Sequence, residues 1–385
     1  MDFLIVYLNL NLNLNLNLNS MKRLFLYLIA LATVCIVSTS CQENKTVKMT
    51  GPFPFKTFKI TRGTNIGHWL SQSERRGEER AKFFTEKDVR FIDSVGFDHI
   101  RLPIDEVQMW DENMKRHDDA FMLLKNSLDW CQKEGLRVIV DLHILRSHYF
   151  NAKEKPLWTV PAEQDKFIAI WKDLSGFLHS YPNGMVAYEF MNEPVADNPE
   201  QWNTLLARAV DSIRQWEPQR VLVIGSNLWQ SANTFDQLKI PKNDTNIVLS
   251  YHFYEPFFLT HYHASWTELK DFNGEVNYPG QIVLNSKIPA QMRVYNRDTL
   301  VKMMQKPLHL SDSLKLPLYC GEFGIYKEFF PAAKLAWYKD MVSIFNQYGI
   351  AYANWNYKSG EFGIVDNDMK PLLPIIKILT HPNGK

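Results

Sequence analysis

From Phe58 onward the chain alternates between two hydrophobic patterns. Short apolar runs bounded by turn residues read as strands. Longer stretches with apolar residues every three or four positions read as helices. Strands are predicted over Phe58–Ile66, His99–Ile104, Arg137–His143, Met185–Asn192, Arg220–Gly225, Asn246–Tyr254, Pro317–Gly321 and Ala351–Trp355. Val138, Ile139 and Val140 are consecutive, and such a β-branched run marks a strand covered on both faces, as in parallel sheets. Between the strands, Thr85-Glu86-Lys87-Asp88 resembles a capping box, Val89, Ile92 and Val95 follow at helical spacing, and Gly96 stops the helix. Further helices are expected over Asp119–Glu134, Gln164–Tyr181 and Gln201–Trp216. Another lies within Arg293–Leu314, interrupted near Pro307, and one runs from Pro331 to Gly349. A last one starts at Pro371.

Eight strands alternating with helices predict an α/β fold, a (β/α)8 TIM barrel over residues 58–385. An open doubly wound sheet is the alternative, but no GxGxxG turn follows the first strand. The longest stretch outside the alternation is Glu255–Ala290, rich in Phe, Tyr, His and Trp. A loop of that length is functional or disordered, and its aromatic content argues against disorder.

The first forty residues belong to another class. Asn9 to Asn19 alternate with leucine, a low-complexity tract. Met21-Lys22-Arg23 is then followed by an apolar stretch from Leu24 to Val37 and by Ser38-Thr39-Ser40-Cys41. That is the layout of a secretory signal peptide, with translation expected to begin at Met21. The apolar run falls short of the ~20 residues a spanning helix needs. Cys41 after small residues resembles a lipoprotein cleavage site, although Ser38 stands where a larger aliphatic residue is usual. The expectation is an exported protein lipidated at Cys41, with a polar tether over residues 41–57. It would then sit in a bacterial envelope, periplasmic or on the surface, at the outer membrane.

Hydrophobic residues make up 45% of the 385, enough for a sizeable core. The formal net charge of +1 and the lack of a basic run point away from nucleic acid and toward a neutral polymer. Of the four cysteines, only Cys131 and Cys320 lie in the expected barrel. They read as free buried thiols, and no Cys/His spacing suggests a metal site or a cofactor.

Polar residues cluster where the predicted strands end: Arg101, His143, Asn192-Glu193, His252, Tyr254, Glu322 and Trp355. Taken singly, most have a structural reading: an ion pair for Arg101, a satisfied core histidine for His143, packing for His252, Tyr254 and Trp355, and a common turn for Asn192-Glu193-Pro194. Glu322 is the hardest to excuse, because an unpaired carboxylate after a buried strand is expensive. Taken together they are costly to bury unless they share one cleft and hydrogen-bond one another. In a barrel of this kind catalytic residues come from the C-terminal ends of several strands. Two acids at such ends, Glu193 and Glu322, are what a retaining glycosidase needs: one protonates the leaving oxygen and the other attacks the anomeric carbon.

The chain resembles glycoside hydrolase family 5, the cellulase family of the retaining barrel clan. The resemblance rests on Arg62-Gly63-Thr64-Asn65-Ile66-Gly67, Ile100-Arg101-Leu102-Pro103, Asp141-Leu142-His143, Met191-Asn192-Glu193-Pro194, Tyr251-His252-Phe253-Tyr254, Gly321-Glu322-Phe323-Gly324 and Trp355. It implies that Glu193 is the acid/base and Glu322 the nucleophile. Arg101 and Tyr254 would keep Glu322 ionised, and Asn192 would bind the 2-hydroxyl. His143 and His252 would position hydroxyls or carboxylates, and Trp355 would stack on a sugar. Ile144-Leu145-Arg146 departs from relatives that carry a second histidine or a Gly-rich loop there. Trp69, Trp158 and Trp229 are candidates for further subsites. The expected partner is a β-glucan polysaccharide or oligosaccharide, cleaved by a monomer acting as an endo-β-1,4-glucanase. A β-1,3- or mixed-linkage glucanase and a β-mannanase are alternatives. A non-catalytic glycan-binding lipoprotein would lack at least one of the two glutamates.

Overall fold

The computed structural model describes residues 55–282, 293–327, 329–358, 362–366 and 368–381. Cys41 and the expected signal segment lie outside them. Eight parallel strands close into a barrel: β1 (Arg62–Asn65), β2 (His99–Asp105), β3 (Arg137–Ile144), β4 (Val186–Glu189), β5 (Leu222–Gly225), β6 (Ile247–His252), β7 (Leu318–Glu322) and β8 (Ala351–Asn354). Each pairs with its neighbours in chain order, and β8 closes on β1 with Gly63 opposite Ala353. The expected strands are all present, though several are shorter. β1 begins at Arg62, not Phe58. Phe58 and Ile60 instead pack with Ile139, Ala187, Val223, Val248 and Tyr319 in the barrel interior.

The two faces of each strand go to different cores, because side chains alternate. Val138, Val140 and Leu142 of β3 join the outer layer against the helices, whereas Ile139 joins the inner cluster. Ile100, Leu102 and Ile104 of β2 do the same outside, as do Val186 and Tyr188 of β4. Moving along the inward-facing positions toward the strand C-termini, apolar residues give way to Arg101, Asp141, Glu189 and His252, all buried. The barrel is therefore apolar at one end and ionic at the other.

The helices follow their sequence signals. Thr85 and Asp88 form a reciprocal capping box ahead of Glu86–Ser94. Pro161, Pro199 and Pro331 each open an 18-residue helix. The expected interruption near Pro307 is displaced: the break falls at Met304, between helices Arg297–Met303 and Gln305–Leu314. Pro307 stands in the first turn of the second helix, where its missing N–H has no intrahelical partner to lose. No α-helix of more than one turn joins β5 to β6. That connection is the short turn Asn227–Gln230 and the 3-10 segment Ala232–Gln237. Among the described residues no helix is long and apolar enough to cross a membrane.

Gly63 is a tight point of the inner layer. A Cβ there would stand 2.4 Å from His99 Nε2. The His99 ring cannot yield easily, since it also bonds Asp98 at 2.7 Å and Tyr319 Oη at 3.2 Å. Gly63→Ala should therefore cost about 1–3 kcal/mol by overpacking, read as a lowered midpoint of urea unfolding with an unchanged slope.

Candidate active site

At the ionic end of the barrel the side chains converge on one guanidinium. Arg101 has no solvent exposure. Its Nε donates to Glu189 Oε2 at 2.6 Å, and its Nη1 donates to Glu322 Oε1 at 2.7 Å and Asn65 Oδ1 at 3.0 Å. Its Nη2 donates to Asn192 Oδ1 at 2.9 Å and stands 3.0 Å from Asp141 Oδ2. One cation thus ties β1, β3, β4 and β7 together. The other oxygen of Glu322 accepts from Tyr254 Oη at 2.8 Å. His252 Nδ1 lies 2.9 Å from Glu193 Oε1 and 3.7 Å from Glu322 Oε2. One atom each of Glu193, His252 and Glu322 fall within 4.8 Å of one another. Such a trio could also ligate a cation, but Arg101 already places a positive charge against Glu322.

Glu193 reaches this point from a braced turn. β4 ends at Glu189, earlier than the sequence pattern suggests, because Asn192 N turns to Leu142 O and Glu193 takes a left-handed φ of 45°. The turn is held from both sides. Val195 N donates to His148 Nε2 at 3.1 Å, and Val195 O accepts from Trp158 Nε1 at 2.7 Å. Ala196 bonds Asn227 through both its N–H and its carbonyl. Pro194 O accepts from Trp229 N at 3.3 Å, and Glu193 N donates to Gln230 Oε1 at 2.9 Å. Leu228, Trp229 and Gln230 have φ of 55°, 61° and 50°. Left-handed residues with side chains cost roughly 1–2 kcal/mol each, so three in a row persist only where neighbours hold them.

The charges are unbalanced. Burial pushes Asp141 up to about 7 against the pull of Arg101, and pushes Asp105 up to about 6. Burial, and after it the charge of Glu322, raise Glu193 well above the ordinary carboxylate range. Glu322 is also raised by burial, but the Arg101 charge and the Tyr254 hydroxyl work against that rise. The proton of the pair therefore belongs on Glu193 and the charge on Glu322. Burial lowers His143 to about 4 and lowers His252 strongly, so both rings are neutral at pH 7. The 2.7 Å contact of His143 Nδ1 with Asp141 is accordingly a neutral imidazole donating to a carboxyl.

Above this floor opens a cleft of about 830 Å³. His143, Asn192, Glu193, His252, Tyr254, Glu322 and Trp355 line it, with Arg101 beneath. Trp355 lies parallel to His143, centroids 5.6 Å apart. Trp229 and Trp266 line the walls and are 46% and 52% exposed. Two of the suggested subsite tryptophans are elsewhere. Trp69 is buried against Phe84 and bonds Arg80 O; Trp158 is spent on bracing Val195. Arg146, in the stretch that departs from relatives, turns to Glu106 at 2.8 Å.

A model of the cellulase family, glycosyl hydrolase family 5, matches residues 61–361. Endoglucanase C of Acetivibrio thermocellus is 33% identical over 328 residues, spanning 80% of this chain and 94% of that protein. This chain belongs to glycosyl hydrolase family 5. Cellodextrinase A of Ruminococcus flavefaciens, 25% identical over 300 residues, covers 77% of this chain and 85% of its own length. Among solved structures, endoglucanase Cel5A from Thermotoga maritima matches with a TM-score of 0.68 at 25% identity, over 83% of this chain and 96% of that one.

The residues of this family 5 site that sequence reading left without a part are Asn65, Asp141, Glu189 and Gln230. Asn65 and Asp141 sit in motifs already singled out, and Glu189 lies inside the predicted strand Met185–Asn192. Asn65 ends β1, and Asp141 and Glu189 face inward two residues before His143 and Met191. Asp141 and Glu189 are each a carboxylate following apolar strand residues, a signal that was there to follow. Gln230 carries no such signal, since its place depends on the left-handed run. Arg101→Lys should destabilise the protein by about 3–5 kcal/mol in urea unfolding, as expected for a broken buried ion network. An ammonium cannot reproduce the planar fork that reaches Glu189, Asn192, Asn65 and Glu322 together.

Proposed function

We propose that this chain cleaves β-1,4-linked glucan internally, by double displacement with retention, using Glu193 as acid/base and Glu322 as nucleophile. Membership of family 5 and the likeness to endoglucanases over most of both chains support the activity. The observation that carries the assignment of roles is the pair itself. The two carboxyls present oxygens within 4.8 Å, sharing His252, at the floor of a cleft. Retention needs carboxyls about 5–5.5 Å apart, whereas inversion needs roughly 6.5–9.5 Å to admit a water.

The chemistry follows from the charges. Glu322, ionised and aimed by Arg101 and Tyr254, attacks the anomeric carbon while Glu193 gives its proton to the leaving oxygen. Forming the ester removes the charge of Glu322, and with it much of what holds the proton on Glu193. Glu193 then deprotonates the incoming water, which attacks the glycosyl ester and releases Glu322. Asn192 has its Oδ1 on Arg101, leaving its Nδ2 donors for the 2-hydroxyl next to the reacting carbon. Trp355 and His143 supply a flat floor for that sugar ring. We also propose, from the sequence, that the mature chain is anchored to the envelope by lipid on Cys41. Mass spectrometry of the mature N-terminus tests this, and an unmodified residue from the segment before Cys41 would refute it.

Product analysis on cello-oligosaccharides, mixed-linkage glucan, β-1,3-glucan and mannan tests the substrate. Internal cleavage of β-1,4-glucan is the expected outcome. The kcat/KM profile should be a bell. Its acid limb reports protonation of Glu322. Its alkaline limb reports loss of the Glu193 proton and should lie above the ordinary carboxylate range.

Glu322→Gln should abolish turnover of natural and activated aryl substrates, and a fluorinated glycoside should label Glu322; a label mapped to another residue defeats the assignment. Glu193→Ala should slow substrates with poor leaving groups by about 10²–10⁴-fold. It should spare the first step of an aryl glycoside with a good leaving group. Azide should then restore turnover and give a β-glycosyl azide. An α-glycosyl azide would overturn the two-step mechanism.

A further inference from the structure

The turn Asn227–Gln230 is where the fold departs most from local preference, and the departure has one chemical result. It drives the Gln230 amide into the barrel top, where the side chain is fully buried. There the amide meets two strands, β4 and β6, and the turn that follows β4. Its Oε1 accepts from Glu193 N at 2.9 Å; its Nε2 donates to Glu189 Oε1 at 3.0 Å and lies 3.4 Å from Ser250 Oγ. The orientation of the amide is fixed by its partners, because a flip would set donor against donor at Glu193 and acceptor against acceptor at Glu189. Gly225 makes the approach possible: a Cβ there would stand 2.4 Å from Gln230 Cγ and Nε2.

Followed further, the path closes. Glu189 is held by Arg101 Nε, and Arg101 Nη1 holds Glu322. A continuous run of buried hydrogen bonds therefore leads from the backbone of Glu193, through Gln230, Glu189 and Arg101, to the carboxylate of Glu322. Other residues brace the turn at Pro194, Val195 and Ala196, but Gln230 holds the peptide N–H of Glu193 itself.

We infer that Gln230 is a positioning residue for the acid/base, fixing the turn so that the Glu193 carboxyl keeps its distance and direction to Glu322. This rests on the roles proposed above for the two glutamates. Gln230 touches no substrate. Removing its amide leaves the Glu193 N–H without its acceptor and the turn free to relax. The carboxyl then swings toward water, away from the charge of Glu322 that keeps it protonated. The groups facing it are Glu322 from β7, Arg101 from β2, His252 from β6, Tyr254 just after β6, and Asp141 and Glu189 from the floor.

The test uses the full chain with Gln230→Met, which keeps length and volume and removes both hydrogen bonds. Cellotetraose serves as the poor leaving-group substrate and a dinitrophenyl cellobioside as the good one. The expected result is a kcat loss of roughly 10- to 100-fold on cellotetraose, the scale of a small misplacement of a reacting group. KM and the aryl glycosylation step should change little, and the alkaline limb should move to lower pH. Equal losses on both substrates, or an unmoved alkaline limb, would overturn the inference. If the methionine variant does not fold, Gln230→Glu decides instead. It keeps an oxygen for the Glu193 N–H, but must carry a proton to face Glu189. Cellotetraose turnover should then fall earlier than wild type as pH rises, with aryl turnover spared; a wild-type pH dependence would refute the proposal. Glu193→Ala run in parallel separates the two ideas. If that variant shows no leaving-group dependence, the acid/base assignment itself fails. If it does while Gln230→Met does not, only the role of Gln230 fails.

Discussion

One buried cation governs this molecule. Arg101 sits inside the barrel with no access to water, against Asp141, Glu189 and Glu322. Removing a guanidinium from water costs several kcal/mol even after relaxation. The cost is met only because its donors find carboxylates or amide oxygens on four different strands. The same arrangement leaves more acids than cations at the barrel top, since burial keeps His143 and His252 neutral. At neutral pH some of those acids must hold protons. The imbalance that makes the site costly is what lets one of two neighbouring glutamates donate a proton while the other stays charged.

The barrel can carry such a load because its polar and apolar layers are separated along the axis. Ile139, Ala187, Val223 and Val248 fill the interior below, with Phe58 and Ile60 packed among them. The ionic layer above is therefore solvated only from the cleft. The register shift between β6 and β7 brings His252 opposite Glu322, which a regular ladder from Tyr251 and Cys320 would not. A single irregularity in pairing thus sets the ring that stands between the two carboxyls.

The loops divide the remaining work. Those after β3 and β5 converge on residues 193–196 and satisfy the polar groups of that turn from both sides. Strain is concentrated here: Glu193 and the run Leu228–Gln230 all have left-handed backbones. The loop after β6 contributes a different kind of surface. Phe257, His261 and Trp266 pack along the cleft wall with Phe362 from the loop after β8, and His261 lies flat on Phe257. Rigid aromatic walls beside a polar floor suit a polymer of sugar rings, which offers apolar faces and hydroxylated edges.

Periodicity alone determined the architecture, because a strand buried on both faces and a helix with one apolar face leave different traces in the order of residues. It also exposed Arg101, His143, Glu193, His252 and Glu322 as a set, since polar side chains at so many strand ends are costly to bury unless they share one cleft. Where strands stop was harder to see. Met185–Asn192 reads as one apolar stretch, yet pairing ends at Glu189, because the turn that follows is held by groups distant in sequence. The tryptophans make the same point. Trp69, Trp158 and Trp229 are equivalent as letters, and only the fold puts Trp69 in the core, Trp158 in a brace and Trp229 in the cleft wall. Gln230 was invisible for the deepest reason. Its position follows from three unfavourable backbone conformations in a row, and those are stable only when partners from β4 and β6 are already in place. What local preference disfavours, only the assembled structure can decide.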